Sequence, residues 1–344
     1  MTTYIVTGAF GHVGSTVVTD LLAQNKKVRA LVLQNEKPSI SPSAFSKAEI
    51  FTGDISDIGS LESIFDAEGE ITVIHTAGIV SIENKVNPKL LSVNVEGTKN
   101  IVEMCLRRNA KLVYVSSVHA IPEGKKGEIV AETTDISPKK VSGGYAKSKA
   151  MATRAVLDAM QKGLKANIVF PSGIIGPFDS GRNHLVSLLR DFLTGKLRAV
   201  VRGGYDIVDV RDVASACIKA ADSPVTGETF ILSNEYCEIK SVCDYASRLT
   251  GVKPIKTVLP MWFAYMFTPI FELYYKMRKA RPLYTAYSLS VVQSGSRFDH
   301  SKAANILGFK PRPLAESIAD TINWLMSHCK LTPPGRLVKA STKV

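Results

Sequence analysis

Residues 4–25 read YIVTGAFGHVGSTVVTDLLAQN. A β-branched and aromatic run enters three glycines and then continues with apolar residues at helical spacing, which reads as strand, tight turn, helix. Gly8, Gly11 and Gly14 lie between the strand and the helix. Glycine at these points permits a tight turn and lets backbone N–H groups approach a pyrophosphate, whose charge is favoured at a helix N-terminus. The GxxGxxG spacing departs from the GxGxxG dinucleotide fingerprint, and an ordinary glycine-rich turn is the competing reading. The flanking strand and apolar-periodic helix favour the nucleotide reading, with Phe10, His12 and Val13 joining the three glycines as expected contacts.

Outward from this turn, short β-branched runs alternate with longer helical segments. KVRALVL, EIFTG, ITVIHTAG, KLVYVSS and ANIVF are the strands, and PKLLSVNVEGTKNIVEMCLRRN and YAKSKAMATRAVLDAM are helices between them. That alternation predicts an α/β chain, a Rossmann-type doubly wound parallel sheet with a smaller C-terminal lobe. Residues 1–170 are expected to form the core, with 206–235 returning to it. Residues 171–205 and 236–330 are expected to form the lobe at the strand C-terminal ends, and 331–344 a loose tail.

With 344 residues, 45% apolar and 22% charged, the composition is that of an ordinary folded chain. Five cysteines are scattered without a CxxC pair, so neither a metal site nor a disulfide framework is suggested and a reducing cytoplasm fits best. The opening residues carry no basic, apolar leader and read as a strand. The net charge of +12 is spread along the chain with no nucleic-acid module, which argues against a nucleic-acid partner.

Coenzyme choice is normally set at the end of the second strand, by an acid on the ribose hydroxyl or an arginine on a 2′-phosphate. Here that strand runs into Leu33, Gln34, Asn35 and Glu36, with neither an Asp at its end nor an Arg. Gln34 or Asn35 suits a hydroxyl and Lys37 a phosphate, so NAD is slightly favoured over NADP. Asp54 and Ile55 are placed to flank an adenine, and Ala77 and Gly78 to leave room for the cofactor; each also reads as a strand-end turn residue.

YAKSK puts Tyr145 and Lys149 one helical turn apart. A phenol titrating near pH 10 is a weak acid or base at neutrality, and a nearby cation lowers that value. Upstream, KLVYVSS ends a predicted strand with Ser116 and Ser117, either of which suits holding a carbonyl or alcohol oxygen beside the phenol.

TGAFGHVG, GDIS, HTAG, VNVEGTKNIVE, VYVSS, YAKSK and PSGIIGP together resemble the extended short-chain dehydrogenase/reductase superfamily, which includes the NAD-dependent epimerases and dehydratases. The resemblance runs to about residue 328. VRALV, GGYDIVDVRDVASA and FDHSKAANILGFKPRPLAESIADTINWL are most similar to the branch holding 3β-hydroxysteroid dehydrogenases and dihydroflavonol reductases. It implies Tyr145 as catalytic acid/base, Lys149 as the cation that lowers its pKa and binds the nicotinamide ribose, and Ser117 as the orienting hydroxyl, with Ser116 its neighbour and alternative. Asn94 would shape the helix and water network behind the site, and Pro171 and Ser172 would pass beside the nicotinamide. The family usually has Arg before that proline; here it is Phe170.

The implied activity is reversible hydride transfer on an apolar alcohol or ketone, steroid-like or flavonoid-like. A nucleotide-sugar epimerase or dehydratase, which must also hold a diphosphate with groups such as Arg182, Arg202 or Arg211, is the alternative. A non-catalytic dinucleotide sensor is the second alternative, and the intact Ser, Tyr and Lys argue against it. Val80, His119, Met261, Trp262 and Tyr265 join Ser117 and Tyr145 as expected substrate contacts, because the lobe is rich in aromatic residues. The apolar stretch 258–281 is broken by Pro260 and Pro269 and charged at Glu272, so it is expected to cap the site and not to span a bilayer. Its basic end, KMRKAR, suits peripheral contact with anionic lipid. A homodimer paired through helices such as 87–108 and 145–162 is the expected assembly.

Overall fold

The computed structural model describes residues 2–124, 127–179, 183–268, 285–329 and 331. Seven strands, β1 (Thr2–Thr7), β2 (Lys27–Val32), β3 (Glu49–Thr52), β4 (Glu70–His75), β5 (Lys111–Val115), β6 (Ala166–Pro171) and β7 (Thr229–Leu232), form one sheet. Its order is β3-β2-β1-β4-β5-β6-β7, with every neighbouring pair parallel. The direction of winding reverses between β1 and β4, and a doubly wound sheet binds its ligand at the strand ends beside that reversal.

Both faces are covered, which is why the strands are apolar on both sides. Helices in chain order are α1 (His12–Ala23), α2 (Gly97–Arg107), α3 (Gly144–Met160), α4 (His184–Leu193), α5 (Val210–Asp222), α6 (Ile239–Thr250), α7 (Ala286–Ser294), α8 (Ser301–Leu307) and α9 (Leu314–His328). Alternation along each strand sends Ile5, Val73, Leu112 and Ile168 to the cluster under α2 and α3. Val6, Ile74, Val113 and Val169 point the other way, to the cluster under α1 and α5. Small residues on α3, among them Ala146, Ala150 and Ala152, are fully or nearly fully buried, so this helix lies close to the sheet.

A third apolar cluster belongs to the remaining elements: Val186 and Leu189 of α4, Val242 and Ala246 of α6, and Ile318, Ile322 and Leu325 of α9. Strand 204–209 pairs in parallel with 173–175 and antiparallel with 235–238, forming a small sheet of its own. The return to the core expected from residue 206 therefore begins with α5, which packs on α1, and is completed by β7. The helix read across 87–108 is not uniform. A helical turn at Pro88–Leu90 passes into a π-helical segment at Leu91–Glu96 before α2 begins. Of the stretch 258–281, residues 261–268 are helical, and 269–281 lie outside the described residues, as do Arg182 and the tail from 332. No helix among the described residues is long and apolar enough to cross a membrane.

Candidate active site

The glycine turn is defined by what would not fit there. Gly8 has φ +64°, and a Cβ on it would lie 2.8 Å from Ala77 Cα; a Cβ on Gly14 would lie 2.2 Å from the Gly8 carbonyl oxygen and 2.8 Å from Thr76 Oγ1. The turn is thus packed against the end of β4, and Gly11 N–H donates to Gly8 O at 2.9 Å to close it. The N-terminus of α1 has no side-chain cap and no acid in its first turn, which suits an anionic phosphate on its N–H groups and the positive end of its dipole. The His12 ring turns toward the lobe, where Nε2 meets Pro177 O at 2.8 Å, and its buried Nδ1 has no partner among the described residues. The Phe10 ring packs edge-on against Phe45.

At the end of β2, Asn35 takes φ +62° and the chain folds back so that Glu36 accepts a hydrogen bond from Leu33 N–H at 3.1 Å. The acid absent from the strand end in sequence is thereby carried there by the turn, while Gln34 and Asn35 are exposed. Asp54 accepts hydrogen bonds from Ser56 N–H and Ser56 Oγ, so one carboxylate oxygen is committed to its own turn. Ile55, expected beside an adenine, has its side chain buried against Gly97, and its carbonyl accepts from Asn100 Nδ2. Packing on α2 displaces it from the expected role.

Asn94 is drawn inward by the π-helical segment. Its Oδ1 accepts from Ile79 N–H at 2.7 Å, and its Nδ2 donates to Ile79 O at 2.9 Å and Ser148 Oγ at 3.0 Å. It fixes the loop at Gly78, where an added Cβ would stand 3.3 Å from Asn94 Oδ1 and 3.6 Å from Lys149 Nζ. The bare backbone at Gly78 leaves a lane from the glycine turn to Lys149. Pro171 closes β6, and Phe170, where the family has Arg, is fully buried under α3.

Tyr145 and Lys149 are both buried on α3. Lys149 Nζ donates to Val115 O at 2.8 Å and lies 4.9 Å from the centre of the Tyr114 ring. Ser116 Oγ is engaged with Thr153 Oγ1 at 2.6 Å, whereas the Ser117 hydroxyl, which accepts from His119 N–H at 3.3 Å, acts to lower the Tyr145 phenol. Of the two adjacent serines the geometry selects Ser117. Burial pushes the Tyr145 phenol up to about 12 with the Ser117 bond acting against it, and burial pulls Lys149 down to about 7. Burial sets the direction of the Tyr145 shift, with Ser117 as the group acting against it and not the Lys149 charge expected from the sequence.

Two residues here, His75 and Tyr114, escaped the sequence reading, whereas Tyr287 was among the aromatic residues read into the wall of the lobe. His75 is held between Thr7 Oγ1 at 2.6 Å and Thr98 Oγ1 at 3.1 Å, stacks on Tyr114, and is lowered to about 3 by burial and by the charge of Lys149. Tyr114 is buried beside Lys149; a polar-tipped aromatic in an otherwise aliphatic central strand was the available signal. Tyr287, on α7, lies across the start of α3. A cavity of about 50 Å³ opens at Tyr287, lined also by His119, Tyr205 and Ala146, the neighbour of Tyr145 on α3, but not by Tyr145, Ser117 or Lys149 themselves. Met261 and Tyr265, expected there, instead pack against the lobe cluster. Trp262 is 67% exposed and Val80 68% exposed, and neither lines the cavity.

A glycine turn fitted to a dinucleotide, joined by an open lane to a Ser–Tyr–Lys set at the same end of the sheet, defines a short-chain dehydrogenase/reductase. The family model described as "NAD dependent epimerase/dehydratase family" matches residues 4–233, and the chain belongs to that family. It is an NAD(P)-dependent enzyme of the short-chain dehydrogenase/reductase type, within the branch that the sequence motifs indicated.

Among its relatives, it is 30% identical to "Sterol demethylase protein B" of Methylococcus capsulatus, with 94% of this chain and 98% of that protein covered. It is 27% identical to "3 beta-hydroxysteroid dehydrogenase type 7" of Rattus norvegicus, over 94% of this chain and 95% of that one. Its fold is similar to that of UDP-glucose 4-epimerase of Thermus thermophilus in complex with NAD, with a TM-score of 0.73 at 23% identity, covering 94% and 99% of the two chains.

Proposed function

We propose that the protein interconverts a secondary alcohol and a ketone on an apolar, steroid-like or flavonoid-like substrate. The observation that carries this reading is the cavity beside the Tyr145 region: no Lys or Arg lines it among the described residues, while Val118, Ile121, Val141 and Val291 do. A sugar nucleotide would require cations for its diphosphate. Arg211 is committed elsewhere, to Asp209 at 2.8 Å and Asp320 at 2.7 Å. The relatives named for sterols and hydroxysteroids support an apolar ring system.

When bound, the nicotinamide supplies or accepts the hydride. Ser117 orients the substrate oxygen, and Tyr145 gives its proton to the developing alkoxide in reduction or takes one in oxidation. Lys149, held by Val115 O, favours the phenolate whenever it carries a charge. Glu36 at the end of β2 favours a ribose hydroxyl over a 2′-phosphate, so NAD is the preferred coenzyme.

The test is nicotinamide absorbance with NAD and then NADP across sterols, flavonoids and nucleotide sugars. Turnover of an apolar alcohol with NAD is expected, and Tyr145→Phe is expected to lower it by about 10²–10⁴-fold with coenzyme binding retained. Conversion of nucleotide sugars alone, or a Tyr145→Phe enzyme within a few-fold of the parent, would overturn the reading.

A further inference from the structure

Tyr287 is placed with more care than a wall residue needs. Thr285 caps α7 in a reciprocal pair with Ser288, and its Oγ1 donates to Ile82 O at 2.6 Å; Tyr287 N–H donates to Asn84 Oδ1 at 2.9 Å. The ring lies against Gly143, the residue before α3, where φ is +88° and an added Cβ would be 2.4 Å from the ring carbons. Gly143 thus admits the ring, and the ring fixes the approach to the helix that bears Tyr145.

The residue is 8% exposed, and its hydroxyl is buried with no hydrogen-bond partner among the described residues. Phenylalanine would fill the same space without burying an unmatched donor. Tyr287 lines the cavity, and so does His119, whose ring centre is 6.2 Å from that of Tyr287 and 6.1 Å from that of Tyr145. Each phenol ring therefore lies about one ring's breadth from the same imidazole. Glu123 and Asp206 also line the cavity, so among the described residues it offers a donor and acceptors but no Lys or Arg.

We infer that this cavity is a subsite for a second, uncharged oxygen on the substrate, a hydroxyl or carbonyl to which Tyr287 donates a hydrogen bond. The inference rests on the reading of the substrate as an apolar alcohol or ketone and adds a requirement to it: a second oxygen away from the reacting carbon, on the Tyr287 side of His119. Its volume exceeds what one water needs, so a small substituent fits. A carboxylate in the same place would meet Glu123 and Asp206 and is rejected.

The probes are monohydroxysteroids, each paired with counterparts carrying a second hydroxyl, a ketone or a carboxylate at the distal ring. Their binding is measured by calorimetry to NAD-loaded Tyr145→Phe protein, with and without Tyr287→Phe, and their turnover in the parent enzyme. The hydroxyl and ketone members should bind about tenfold more tightly than the unsubstituted steroid, the effect of one hydrogen bond, and the carboxylate more weakly than either. Tyr287→Phe should collapse that ratio to about one. No preference, no binding by any steroid, a tighter carboxylate, or a Tyr287→Phe loss shared equally by both members of a pair would each overturn the subsite. If the binding pattern holds but the parent turns over no steroid, the proposed reaction fails and the subsite stands; if steroids turn over without the pattern, the subsite fails and the reaction stands.

Discussion

At Lys149 an ammonium is buried next to a single backbone carbonyl and an aromatic face, and burial brings its pKa from 10.5 to about 7. The unfolded chain keeps that proton up to about pH 10.5, whereas the folded one releases it near 7. Between those values the unfolded state binds more protons, so stability rises with pH across the window, and below pH 7 the full penalty is present. Lys149→Met should therefore unfold at a higher temperature than the parent at pH 7, by about 3 °C or more, and show a flatter rise toward pH 9 in calorimetry, while losing turnover. A lower melting temperature at pH 7 would mean that the amine contributes more through its bonds than its burial takes away. Tyr145, Lys149 and Ser117 were legible in the sequence because one helical turn and one strand end fix their relative places. The choice between Ser116 and Ser117 was not, since adjacent strand residues point to opposite sides and Thr153 decides which side is which.

Among the elements, the π-helical segment at Leu91–Glu96 has the largest effect on the site. It turns Asn94 inward to hold both backbone groups of Ile79, and through Ile79 it sets the lane at Gly78. Asn94→Ala would leave the Ile79 N–H and carbonyl without that partner. Hydrogen exchange at the Ile79 amide should rise by at least about tenfold, roughly one lost hydrogen bond, and turnover should fall with it. Unchanged exchange would show that the segment is held by other contacts. The helix itself was visible from its apolar period, but the inserted turn was not, because it changes the pairing of carbonyls without changing residue type. The same limit applies to α7. Its place at the start of α3 depends on Thr285 meeting Ile82 and Tyr287 meeting Asn84, contacts 203 residues apart that no local pattern announces.

For the molecule as a whole, the parallel sheet and its layers were legible because alternation of strand and helix leaves few topologies open. The wall of the cavity was not. Near 262, Met261 and Tyr265 pack on the lobe cluster while Trp262 is exposed, since an apolar helix lowers its free energy as well against a neighbour as against a ligand. Sheet and lobe are joined by an ionic cluster in which Asp209, fully buried in its side chain, holds Arg211, while Arg211 reaches Asp320 on α9 and Arg312 reaches Asp212 on α5. Asp209→Ala leaves Arg211 short of its buried partner at a cost of about 3–5 kcal/mol, which for a chain of this size lowers the melting temperature by roughly 4–7 °C in calorimetry. A fall of less than about 1 °C would place the cluster at the surface in energetic terms.

Gly143 and Tyr287 also impose an order of events during synthesis. A ribosome that has released the chain through β7 has delivered all seven sheet strands, the glycine turn, Ser117, Tyr145 and Lys149. The ring that lies on Gly143, and the threonine that fastens the loop at Ile82, have yet to emerge. N-terminal units fold first as they appear, so the sheet takes shape ahead of α7 and the Tyr287 side of the cavity. Nascent chains therefore carry the whole sheet and the Ser–Tyr–Lys set before the ring that rests on Gly143 is present.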